Sequence, residues 1–74
     1  MTEYTLEIYL KNGEIRKTAY EDIVRDLRLL DEYFLGESLS KASPENALYA
    51  ADVLQFRFSG EVDKVIVYQD GKEI

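Results

Sequence analysis

Cysteine and histidine are both absent from the 74 residues of this chain. Without histidine no side chain has an ordinary pKa in the physiological range, so acid–base work would fall to strongly shifted Asp, Glu, Lys or Tyr. Zinc, haem and iron–sulfur centres built on imidazole or thiolate are excluded, leaving only oxygen ligands for hard cations. No disulfide or structural zinc can reinforce the fold. A single core below roughly 80 residues rarely leaves more than about 3–5 kcal/mol of net stability. Extra stability must come from close packing or from association with a second chain.

Long apolar runs are missing as well. Val65–Ile66–Val67–Tyr68 is typical of those present, far short of the ~20 residues a spanning helix needs, so no membrane association is expected. Met1–Leu10 carries Glu3 and Glu7 in strand-like alternation and does not read as a signal peptide; a cytoplasmic location is the expectation. The four glycines are isolated, which removes any glycine-rich phosphate cradle. Positive charge is in short supply: nine Lys and Arg against fifteen Asp and Glu give a net charge of -6. Such a chain repels nucleic acid and anionic membranes and favours a basic or neutral protein partner. Lys11, Arg16 and Lys17 beside Tyr9 are the one feature suited to capturing a single strand, and three cations do not offset the surplus of acids. Direct nucleic-acid binding is not expected.

What remains reads as one domain over residues 1–74. Tyr4, Leu6, Ile8 and Leu10 alternate with Thr5, Glu7, Tyr9 and Lys11, the pattern of a half-buried strand. Asn12-Gly13 accepts the positive φ of a two-residue type I′ turn, which would pair Lys11 with Glu14, Leu10 with Ile15, Tyr9 with Arg16 and Glu7 with Thr18. Thr18-x-x-Glu21 is a capping-box pattern, and Ile23, Leu27, Leu30 and Phe34 make an apolar stripe before Gly36; a long helix is predicted over about 19–35. Ser43-Pro44-Glu45 opens a second, short helix to about Ala51. Leu54, Phe56 and Phe58 alternate with Gln55 and Arg57, predicting a third strand. A fourth follows over Lys64–Tyr68, and Asp70-Gly71 is a second primed-turn signal before a short return or a frayed end at 72–74. The predicted class is α+β, ββα(α)ββ, with one mainly antiparallel four-stranded sheet and the long helix across one face.

If the helix covers one sheet face, alternation sends Tyr9, Arg16, Gln55, Arg57, Ile66 and Tyr68 to the other. Tyr and Arg are enriched at interface centres, where they combine contact area with hydrogen-bonding capacity. This face predicts a non-catalytic protein-interaction module that pairs with a second copy or another protein. An ordinary solvated face, or a roof formed by residues 44–51, are the alternatives. A second reading uses Asp22, Asp26, Asp31 and Glu32 on the long helix as a phosphate-like array, making the chain an acidic decoy for a nucleic-acid-handling protein. Catalysis is not expected: Asp31 and Glu32 point in different directions, Asp63 and Asp70 bracket a strand, and no calcium loop is present. No cofactor or metal is expected.

Overall fold

The computed structural model describes residues 2–30 and 42–74, with the backbone alone for 27–30. The chain runs β1 (Tyr4–Leu10), β2 (Ile15–Ala19), α1 (Tyr20–Leu30), α2 (Pro44–Arg57), β3 (Val62–Gln69) and β4 (Lys72–Glu73). The four strands form one sheet in the order β2-β1-β3-β4, and every pairing in it is antiparallel. The architecture is α+β, with α2 packed on the sheet.

The core lies between the sheet and the helices. Tyr4 and Leu6 of β1 and Val67 of β3 meet Tyr20, Ile23 and Val24 of α1 and Ala47, Ala50, Ala51 and Leu54 of α2, with Ile8 and Val65 against the margin. In α2 the buried set recurs at i, i+3, i+4 and i+7, a single helical stripe. Three of its four members are alanines, so the helix axis comes close to the strands, and Ala47 and Ala50 are wholly buried. The helix start follows from its first residues. Ser43 is extended, its Oγ accepts from the Asn46 N–H at 3.1 Å, and Pro44 needs no backbone donor in the first turn.

The third strand predicted over Leu54–Phe58 is not formed; these residues are the last turn of α2 and its cap. Leu54 satisfies a strand period and a helix period equally. The alanines at 47, 50 and 51 extend the helical stripe into it, so packing on the sheet carries the helix through to Arg57. Phe58 caps the end, its N–H donating to the Leu54 carbonyl at 3.0 Å. The fourth predicted strand is longer than expected and lies beside β1 in the middle of the sheet. The two-residue β4 supplies the remaining edge.

The first hairpin also departs from expectation. Gly13 alone takes positive φ, at 95°, while Asn12 does not. The Gly13 N–H donates to the Leu10 carbonyl at 3.0 Å and the Leu10 N–H to the Glu14 carbonyl at 2.8 Å. This is the longer connection in which a turn precedes a left-handed glycine bulge. It moves the register by one, so Tyr9 faces Ile15, Ile8 faces Arg16, Glu7 faces Lys17 and Leu6 faces Thr18. Thr18 therefore lies inside β2 and does not act as a helix cap. By contrast, Asp70 and Gly71 both take positive φ, at 50° and 87°, and close the expected two-residue turn. Asp70 exchanges two bonds with Glu3, accepting from its N–H and donating to its carbonyl, each at 2.8 Å.

Of the helix predicted over 19–35, residues Tyr20–Leu30 are helical; the stop at Gly36 lies outside the described residues. Glu21 and Asp22 sit in the first turn, where carboxylates complement the helix dipole.

Candidate functional site

Residues paired directly across antiparallel strands project to the same side of a sheet. Tyr4, Leu6, Ile8, Val65 and Val67 face the helices. The pairings Thr5–Tyr68, Glu7–Ile66, Tyr9–Lys64, Glu7–Lys17, Tyr9–Ile15 and Tyr68–Glu73 place Tyr9, Ile15, Lys17, Lys64, Ile66 and Tyr68 on the opposite face, with Glu7 at its centre. Among the described residues, both helices lie on the core side. None of the described elements roofs this second face.

Three of the six residues expected here are present: Tyr9, Ile66 and Tyr68. Arg16 is not, because the one-residue register shift turns it to the helical side opposite Ile8. Gln55 and Arg57 are not, because helix α2 carries them away from the strands. Ile15, Lys17 and Lys64 take those places. Lys17 was legible in principle, since pairing it with Glu7 places opposite charges across the ladder.

Glu7 is the unusual member, a carboxylate with only 8% of its surface exposed on a face without a helical cover. Its charge is met twice. The Tyr9 hydroxyl donates to Oε1, and the Lys17 ammonium lies 3.6 Å from Oε2. The hydrogen bond to the Glu7 carboxylate, aided by burial and by the carboxylate's negative charge, pushes the Tyr9 phenol up to about 12. Lys64 completes the group, its ammonium 4.7 Å from the Tyr9 ring centroid. Tyr9 is thus held at its hydroxyl by Glu7 and over its ring by Lys64. A hollow of about 420 Å³ opens beside Tyr9 and Ile15 at the hairpin end, bounded by Lys11, Glu14 and Asp63.

The charges on this face are equal in number, Lys17 directly opposite Glu7, and Lys64 and Glu73 opposite Tyr9 and Tyr68. The exposed carboxylates Glu21, Asp22 and Asp26 of α1 and Glu45 and Asp52 of α2 lie on the helical side. Of the proposed acidic array, Asp22 and Asp26 are exposed one turn apart on α1, and Asp31 and Glu32 lie outside the described residues. Arg25 pairs with Asp22. Asp70 is occupied by Glu3. No helix among the described residues is long and apolar enough to cross a membrane, and among them no group of three or more acids is placed to hold a metal ion.

No family model matches the chain, and no curated protein or solved structure is significantly similar to it.

Proposed function

We propose that this chain is a non-catalytic protein-interaction module that pairs with a second copy of itself through the open sheet face. The observation that carries this reading is the charge balance just described. Two molecules of net charge -6 repel at long range, and a face on which Lys17 already neutralises Glu7 and Lys64 offsets Glu73 lets them meet without a surplus of negative charge. A two-fold pair would set Lys64 of one copy against the exposed Glu73 of the other while Tyr9, Ile15, Ile66 and Tyr68 lose water. The pairing also supplies what a chain without disulfide or metal lacks, apolar burial beyond its own small core.

Light scattering behind a sizing column, run over a concentration series, tests this. The expected result is a dimer that dissociates on dilution, and Ile15→Lys combined with Ile66→Lys should yield a monomer with an unchanged circular dichroism spectrum. A wild-type chain that stays monomeric at every concentration, or a double variant that pairs as tightly, would remove the proposal. The decoy reading with Asp22, Asp26, Asp31 and Glu32 ranks below it, because Arg25 breaks the run of like charge. Its signature would be capture of a basic partner that collapses with added salt and with competing DNA.

A further inference from the structure

On the helical side of the sheet, a cleft of about 340 Å³ remains where α1, α2 and the first hairpin converge. Its walls are apolar, formed by Ile8 and Leu10 of β1, Ile23 of α1, Leu54 and Phe58 at the end of α2, and Val62 of β3. Its mouth is charged, with Arg16, Asp26 and Glu61 around it. The Arg16 guanidinium is already engaged by the Glu14 carboxylate at 3.3 Å. Asp26 and Glu61 are exposed, and neither carboxylate has an ion-pair or hydrogen-bond partner among the described residues. Among the described residues, the mouth therefore carries two uncompensated negative charges over an apolar floor.

We infer that this cleft receives a short basic segment of a partner protein, with one large apolar side chain inside and flanking Lys or Arg side chains on Asp26 and Glu61. The volume sits at the lower end of the ~300–1,000 Å³ range of ligand pockets, enough for a single anchor and too small for a dinucleotide or haem. The apolar walls favour an anchor without charge, because a buried charge here would lack a partner. The two carboxylates select cationic neighbours for that anchor, and the net charge of -6 draws a basic segment from a distance. The cleft and the self-pairing face lie on opposite sides of the sheet, so the two proposals stand or fall separately.

Titration of the intact ¹⁵N-labelled chain with the peptide Ac-Arg-Phe-Arg-NH₂, followed by amide chemical shifts, is the test. Shifts should localise to Thr18, Ile23, Leu54 and Val62, and Ac-Arg-Ala-Arg-NH₂ and Ac-Glu-Phe-Glu-NH₂ should each bind at least about tenfold more weakly, from loss of the anchor or of the charge match. Asp26→Asn combined with Glu61→Gln should weaken the first peptide about fivefold, as expected for two exposed ion pairs. Both sites are exposed, so the fold should persist, which the variant's own spectrum reports. The inference fails if the arginine–phenylalanine peptide leaves the cleft amides unmoved. It also fails if either control binds equally well, or if the double variant binds as tightly as the wild type.

Discussion

Leu54 and Phe56 stand two residues apart, and comparing their truncation separates the helix found here from a strand. In a strand they would share one face and one burial; in α2 they point to nearly opposite sides, with Leu54 8% exposed and Phe56 82% exposed. Leu54→Ala removes a side chain packed in the core, at about 2–5 kcal/mol. Phe56→Ala removes one already in water and replaces a poor helix former with the best, so its effect should stay within about 0.5 kcal/mol and is expected to be stabilising. Set against a net stability of about 3–5 kcal/mol for a core of this size, the first change consumes most of the margin and the second leaves it intact. Urea unfolding followed by circular dichroism reads both. With a slope of about 1 kcal/mol per molar urea for a small domain, the Leu54 variant should lose about 2 M or more in its midpoint or be unfolded from the start. Equal destabilisation by the two substitutions would refute the helical assignment of 54–57 and the cleft wall that depends on it.

Gly13 adopts a φ of 95° with open space around it, so Gly13→Ala meets no clash yet should cost about 1–2 kcal/mol in backbone strain; Gly60→Ala, at a position without positive φ and equally open, is the control and should change the urea midpoint little. Tyr9 provides a pH signature: its phenol is held near 12 in the fold against 10 when unfolded, so between these values the unfolded chain has lost a proton that the native state retains. Stability should therefore be complete below about pH 10 and decline toward pH 12, and Tyr9→Phe should remove that part of the alkaline decline, measured as the difference between the two unfolding-versus-pH curves. An identical alkaline slope in both chains would show that the bond to Glu7 does not hold the phenol proton.

The strands of the first hairpin, the Ser43-Pro44 helix start and the Asp70-Gly71 turn were legible because each rests on a local signal with one physical solution. The misread parts had two. Asn12-Gly13 suits both a two-residue turn and a longer one with a glycine bulge, and the choice shifts β2 by one residue, which decides whether Arg16 or Lys17 reaches the open face. Residues 54–58 fit period 2 as well as period 3.6, and only the alanine stripe beginning at Ala47, read together with the sheet it packs on, settles the matter in favour of helix. The open face itself was foreseeable from the alternation of β1. Half its membership was not, because that depends on long-range register.

The innermost pairing of the sheet joins β1 to β3, with Tyr4 opposite Gln69 and Leu6 opposite Val67. Neither hairpin can therefore mature by itself into a stable half: the central seam closes only when segments from the two extremes of the chain have found each other. Seams of this kind slow the search for the native state, since the loop must close before its contacts form. They also make loss of structure collective, so hydrogen exchange at the β1 and β3 amides should proceed only through global opening.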